Sequence, residues 1–392
     1  MLCSDRKRHT PLHTSTISSL FAQTFGRPPT AIASAPGRLE VLGNHTDYND
    51  GLTLSCAVGF RCTAGLAPLD QPTIQLKSTA FDGPPESFAL SSPIALPAPG
   101  HWARYILGLI GGLQELGHTV PGFAMLIDSR VPRSAGVSSS AALEMAALTT
   151  LAAQMSLALP PAELARIGQW AESRAVGAQT GLLDQLTSLC GERDHLLHID
   201  FQSLEHRAII MPPGWVFVAV DSGVKHDLTA DYNDRRASCE AAAAALGVTT
   251  LRDASREQLD AVRDAIDTSA YHCARHVLDE NQRVREATRA LAQSDIGRFG
   301  QLLFDSHRSS TEHFRNSCPE LDVLVEHARQ DPRCVGARLS GGGFGGISIH
   351  LVRAEDADAY RNNLIGHLDS EEQPRRWAAV CEIDGGAQGV ML

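Results

Sequence analysis

The sequence predicts an α+β fold in two domains, and three observations carry that reading. Strand-like apolar runs and Ala- and Leu-rich helical stretches are mixed without the regular βαβ repeat of a doubly wound sheet. A Pro212-Pro213 break separates strand-like segments at His195 to Asp200 and Trp215 to Asp221, which divides the chain into domains of residues 1–210 and 211–392. With 392 residues, 43% hydrophobic and 20% charged, the chain can bury two cores and is too apolar to be disordered.

The elements follow in order. Ile17 to Phe25 forms a short amphipathic helix. Ala33 to Gly51 is a polar, Gly-punctuated stretch, and residues 52 to 66 read as strand, turn, strand, with another strand at Thr73 to Ser78. Pro84, Pro85, Pro93, Pro97 and Pro99 mark an irregular excursion. A helix over His101 to Leu116 and an apolar strand over Gly122 to Ile127 lead to helices at Ser140 to Leu157 and Pro161 to Ala175. The second half has its clearest helices at Ala237 to Leu246 and Thr268 to Ala292. It ends in strands at Val335 to Leu339, Ile347 to Leu351 and Trp377 to Ile383. No internal repeat or heptad run is present.

A net charge of -11 disfavours nucleic acid and anionic membranes as partners and favours a small molecule. The 9 cysteines are scattered without a C-x-x-C pair, as expected of reduced thiols in a cytoplasmic protein. No secretory leader and no run of about 18 apolar residues is read in the sequence.

Four stretches concentrate chemistry. Residues 132 to 148 run from a small-residue loop, with Ser134, Ala135, Gly136, Val137, Ser138, Ser139 and Ser140, into a strong helix. A helix start leaves about four backbone N–H groups unpaired and carries roughly half a positive charge, so the junction suits a polyphosphate without a Walker lysine. Residues 35 to 51 gather Arg38, Glu40, Asn44, His45, Asp47 and Asp50 between Gly37, Gly43 and Gly51. These polar groups are either solvated or assembled into a site, because burying them unpaired costs several kcal/mol. Glu172, late in a helix, and Asp184, after two glycines, both sit where a carboxylate is mildly disfavoured unless a cation or salt bridge is present. Residues 341 to 346 hold five glycines in six positions, so that backbone can press against a ligand.

Taken together these stretches resemble the galactokinase family of the GHMP kinase superfamily. The resemblance rests on Pro-Gly-Arg followed by Gly-Asn-His-Thr-Asp-Tyr-Asn, on Val-Ser-Ser-Ser-Ala-Ala-Leu-Glu and on Leu-Ser-Gly-Gly-Gly-Phe-Gly-Gly. Leu-Asp-Gln at 183 to 185, Val-Lys-His-Asp-Leu at 224 to 228 and Asp384-Gly385-Gly386-Ala387 extend it over residues 33 to 388. It implies an N-terminal domain like ribosomal protein S5 domain 2, a ferredoxin-like C-terminal domain, and ATP-dependent phosphorylation of a hexose's anomeric hydroxyl between them. By position, residues 134 to 140 would wrap the ATP phosphates together with Gly342 and Gly343, and Ser140 and Glu172 would hold Mg²⁺. Asp184 would accept the sugar's proton, Arg38 would stabilise charge, and Glu40, Asn44, His45, Thr46, Asp47 and Tyr232 would bind the sugar. A carboxylate beside an Arg stays ionised near neutrality and can take a proton late, as the alcohol becomes acidic.

There are departures from the family pattern. Ser134 stands where the family loop has Gly, Leu183 where it has Met, and Glu40 and Asn44 where it has Asn and Glu. A kinase for an N-acetylhexosamine or a pentose, and a non-catalytic sugar sensor, therefore stay open. A monomer is the expectation.

Overall fold

The computed structural model describes residues 14–132, 136–178, 180–224, 229–368 and 377–392. Its first half runs α1 (Thr14–Phe25), β1 (Ala31–Leu42), β2 (Leu52–Pro68), β3 (Thr73–Ser78), β4 (Glu86–Ala89), α2 (Ala103–Glu115), β5 (Phe123–Ser129), α3 (Ser139–Gln154), α4 (Pro161–Trp170), α5 (Leu183–Cys190), β6 (His195–Asp200) and β7 (Glu205–Ile210). The second half runs β8 (Trp215–Asp221), α6 (Thr229–Leu246), α7 (Arg256–Ala261), α8 (Thr268–Ala292), α9 (Ile296–Ser309), α10 (Pro319–Gln330), β9 (Cys334–Ser340), β10 (Ile347–Arg353), α11 (Ala357–Leu368), β11 (Ala378–Cys381) and β12 (Gln388–Met391).

The expected α+β architecture is present as two sheets. The larger has the order β12-β1-β2-β5-β3-β4, with β6 paired to β2 and β7 to β6; the smaller is antiparallel in the order β11-β8-β10-β9. β12 crosses the expected division at residue 210, because Met391, Val390, Gly389 and Gln388 pair with Ala31 to Ser34 of β1. No helix among the described residues is long and apolar enough to cross a membrane.

One expectation about this region fails and one open choice is resolved, each for an identifiable reason. The segment read as strand, turn, strand is the single strand β2, whose start pairs with β6 at Leu52 to Ser55 and whose end pairs with β5 at Cys62 to Pro68. Its small residues follow from changing partners, not from a turn. The polar stretch from Ala33 is mostly β1, a strand buried at every position, including Arg38 and Glu40. Its charges are hidden because each meets an opposite charge from elsewhere in the chain.

The two sheets meet at β1 and β9. Arg338 of β9, fully buried, donates from Nη1 to the carbonyls of Glu40 and Val41 at 3.2 Å. Ser340 Oγ donates to the Glu40 carbonyl and accepts from the Glu40 N–H, both at 3.0 Å. This docking delivers the glycine-rich loop after β9 to the same edge as the polar end of β1. From the other side α3, Ala-rich and buried on most of its surface, packs on β1 and β2 and points its N-terminus there.

Candidate active site

At the centre, Arg38 grips Asp184 through two parallel bonds, Nε to Oδ1 at 2.8 Å and Nη2 to Oδ2 at 2.9 Å. Such a fork is stronger and geometrically stricter than a single ion pair. Arg38 Nη1 reaches the Gly136 carbonyl at 2.8 Å, and its own N–H donates to the Val137 carbonyl at 3.1 Å. Gly37 is required for that approach, since a Cβ there would stand 2.5 Å from the Val137 oxygen. Asp184 lies in the first turn of α5, where the helix dipole favours a carboxylate, so the expectation of an unfavourable placement is corrected. Ser138 Oγ also donates to Asp184 Oδ2.

Two cavities adjoin at this pair. One, of about 190 Å³, is lined by Arg38, Glu40, His45, Asp47, Asp184 and Tyr232 among others; the second, of about 240 Å³, by Arg38, Gly136, Ser138 to Ser140 and the glycine loop. Arg38, Gly341 and Gly342 belong to both. A larger cavity of about 570 Å³ lies where Arg61 and Arg193 clamp Asp384, away from this chemistry.

The first cavity is built from spent and unspent polar groups. Glu40 Oε1 accepts from Asn44 Nδ2 at 2.8 Å and from Arg338 Nη1 at 3.2 Å, while Oε2 has no hydrogen-bond donor among the described residues. Burial raises the Glu40 carboxyl above its ordinary range, opposed by Arg338 and Arg38. Asp47 is pushed up to about 7 by burial and by the Glu40 charge, and it presses against Gly181, where a Cβ would collide with its carboxylate. His45 Nε2 faces the Gly342 carbonyl at 3.0 Å and Nδ1 faces the Tyr48 hydroxyl at 2.9 Å. This pattern defines the Nε2–H tautomer, and burial lowers the imidazole to about 4, so the ring is neutral and offers the cavity its face. Tyr232 of α6 packs at 5.0 Å from that ring, centroid to centroid.

Asn44 and Thr46 are placed differently from the expectation of sugar ligands. Both are fully buried. Asn44 Nδ2 also donates to the Gly341 carbonyl at 2.9 Å, and Oδ1 accepts from Asn316 Nδ2 at 2.9 Å, which leaves the amide no group for a ligand. Thr46 Oγ1 bonds the carbonyls of Gly43 and Leu52 at 2.8 and 2.7 Å and holds the turn.

The second cavity receives the start of α3. Ser138 adopts a left-handed conformation at the N-cap and makes no side-chain cap, so the first helical N–H groups stay open to an anion. Val137 contributes backbone only, because its side chain is in the core. Ser134 and Ala135 lie outside the described residues, as does part of the 224 to 228 motif. Opposite α3, Gly342 and Gly343 follow β9. Gly343 has φ +85°, and a Cβ on it would stand 2.1 Å from the Asn316 carbonyl, so bulk is barred.

Three family models match the chain: the galactokinase galactose-binding signature at residues 19–68, the GHMP kinase N-terminal domain at 104–192 and the GHMP kinase C-terminal domain at 287–369. The chain belongs to the galactokinase family of the GHMP kinases. Among solved structures, the Lactococcus lactis galactokinase complexed with galactose superposes with a TM-score of 0.90 at 28% identity, covering 95% of this chain and 99% of that one. A mevalonate kinase from Methanococcus jannaschii shares the fold at TM-score 0.59 and 18% identity, over 90% of this chain and 98% of its own. A Listeria innocua protein does so at 0.68 and 14%, over 92% and 99%. This galactokinase-family chain is therefore a phosphotransferase of the GHMP type.

Sequence reasoning missed the supports behind the galactokinase site. Glu280 of α8 is fully buried and receives the N–H groups of Gly43 and Asn44 on Oε2, at 2.8 and 3.1 Å. Burial opposes its charge, yet Arg283 and then His276 hold it well below the usual carboxylate range. Asn316, Glu144 and Gln185 were likewise given no role. A Glu inside an otherwise Ala- and Leu-rich helix was the available signal for Glu144.

Whether a divalent cation fits can be judged from the donors. Glu172 sits in a π-helical turn, Ala171–Val176, a distortion that often marks functional positions. Burial raises its carboxyl, opposed by the Thr180 hydrogen bond, and the nearby Asp184 charge adds to the rise. Glu172 Oε2 accepts from Thr180 Oγ1 and from Gln185 Nε2, and the Ser140 hydroxyl lies beside the same carboxylate. A carboxylate and a hydroxyl beside a phosphate-sized cavity suit a hard cation that keeps waters and phosphate oxygens as its other ligands. The residues fit.

Proposed function

We propose that the protein phosphorylates galactose at its anomeric hydroxyl with ATP as donor, in the cytoplasm. The supporting observation is the meeting of a sugar-sized cavity and a glycine- and serine-lined cavity at the Arg38–Asp184 pair. In this reading residues 136–140 and the loop at Gly342 and Gly343 hold the ATP phosphates. Residues 1–210 serve as the domain carrying the sugar motif and phosphate helix, and residues 211–392 as the domain carrying the glycine loop.

The chain's own residues then divide the work. Glu40 Oε2 and the Asp47 carboxylate accept hydrogen bonds from sugar hydroxyls, and the His45 and Tyr232 rings wall the cavity. Asp184 orients the anomeric hydroxyl and receives its proton as the new O–P bond forms. Arg38 keeps Asp184 aligned and faces the charge that builds on the transferring phosphoryl oxygens. Because phosphoryl transfer proceeds through a loose transition state, in-line placement and countercharge supply most of the rate. Ser140 and Glu172 would hold Mg²⁺, which supplies further countercharge to the phosphates when bound.

The Glu40–Asn44 exchange keeps a carboxylate acceptor in the cavity wall, at Glu40 Oε2, which favours galactose over another sugar. The test is an ADP-release assay across free galactose, glucose, N-acetylgalactosamine and arabinose, with phosphorus NMR of the product. Galactose should give the highest kcat/KM and an anomeric phosphate. Preference for another sugar would replace the substrate, and no turnover with any would support a sensor.

A further inference from the structure

We propose that Glu144 is a positioning residue of the transfer site: a neutral carboxylic acid locked head to head with the Gln185 carboxamide, so that the amide's remaining N–H holds the Glu172 carboxylate. The inference rests on the reading of Glu172 as the cation-holding carboxylate.

Glu144 and Gln185 are both fully buried, on α3 and α5. Gln185 Nε2 donates to Glu144 Oε2 at 3.2 Å and to Glu172 Oε2 at 3.1 Å, which uses both of its protons. Glu144 Oε1 and Gln185 Oε1 are each buried without a hydrogen-bond partner. If Glu144 were ionised, both orphans would be acceptors with no donor, a costly arrangement in a closed interior. A single proton on Glu144 Oε1 answers both, because acid O–H then donates to amide oxygen while amide N–H donates to acid carbonyl. Turning the Gln185 amide over would aim its oxygen at two carboxyl groups, so the lock selects one orientation.

The surroundings agree. Gly168 of α4 closes over the pair, and a Cβ there would lie 3.0 Å from Gln185 Cγ and 3.2 Å from Glu144 Oε2. Burial, then the neighbouring Glu172, pushes the Glu144 carboxyl well above its ordinary range. Glu144 is one helical turn beyond Ser140, and Gln185 directly follows Asp184. The lock thus ties the phosphate-loop helix, the helix of the proposed base and the turn bearing Glu172 into one rigid unit.

Two substitutions and one spectrum test this. Glu144→Gln keeps both hydrogen bonds with a neutral amide, so kcat should stay within about threefold of wild type and the pH profile should not move. Glu144→Met fills the space without hydrogen bonds and should lower kcat by about 10- to 100-fold with a raised Mg²⁺ requirement and little change in sugar KM. If Glu144→Gln loses as much as Glu144→Met, an ionised carboxylate is needed and the proposal is overturned; full activity of Glu144→Met also overturns it. Should Glu144→Met fail to fold, infrared difference spectra of wild type and Glu144→Gln decide. A neutral carboxylic acid C=O band present at pH 7 must vanish in the variant, and an unchanged spectrum rejects the lock. That spectrum needs no substrate, so it judges the lock even if the wild type phosphorylates no sugar.

Discussion

The Asn44 carboxamide donates to the Glu40 carboxylate at 2.8 Å, so the two positions at which this chain exchanges the family's Asn and Glu are in contact. The hydrogen-bonded pair survives with its polarity reversed. Asn44→Glu alone sets two carboxylates together in a buried site and should cost on the order of 3 kcal/mol in kcat/KM or stability. Adding Glu40→Asn should recover much of that loss. Effects that add within about 0.5 kcal/mol in the double-mutant cycle would show the positions to be independent.

Gly343→Val should reduce kcat/KM by about 100-fold while lowering Tm only as far as 1–3 kcal/mol of backbone strain requires. The new side chain would strike the Asn316 carbonyl at 2.1 Å, and Asn316 holds both Asn44 Oδ1 and the Gly342 carbonyl. Activity that falls only in step with unfolding would make the loop structural.

Asp47 supplies a pH test with a definite sign. Its carboxyl is raised to about 7 by burial and by Glu40, whereas the unfolded value is about 3.9. Between those values the folded state binds more protons than the unfolded one, so this group's contribution to stability is lost as pH rises through 7. Asp47→Asn should therefore raise Tm at pH 8, by roughly 2–5 °C, and leave it unchanged near pH 4, while weakening sugar binding. An equal difference at both pH values would contradict the assignment.

Mg²⁺ should bind the nucleotide-free protein weakly, since Ser140 and Glu172 are the only ligands proposed and hard Mg²⁺ relies on phosphate oxygens and water. Calorimetry showing tight binding without nucleotide would require further protein ligands.

The α+β class, most helices and the chemistry-bearing residues were legible because periodicity and motif spacing are local properties. β1 was not, because Arg38 and Glu40 look like solvent-facing residues until Asp184 and Arg338 arrive from 146 and 298 positions away. Asn44 illustrates the same limit inside the site: its motif marks it as a ligand, but only the folded chain shows its amide committed to Glu40, Gly341 and Asn316. The buried supports Glu280 and Asn316 carry no spacing signal at all, since what defines them is contact across sheets and helices, and Glu144, though it closes the Val-Ser-Ser-Ser-Ala-Ala-Leu-Glu run, gains its partner only from Gln185 on another helix.

The most direct test of the Arg38–Asp184 assignment is single-turnover phosphorylation of galactose by Asp184→Asn, with ATP affinity measured on the same sample. The substitution keeps shape and removes the proton acceptor gripped by Arg38. Phosphoryl transfer should fall by at least about 100-fold with ATP binding retained. Retention of more than about a tenth of the wild-type rate would contradict Asp184 as the base.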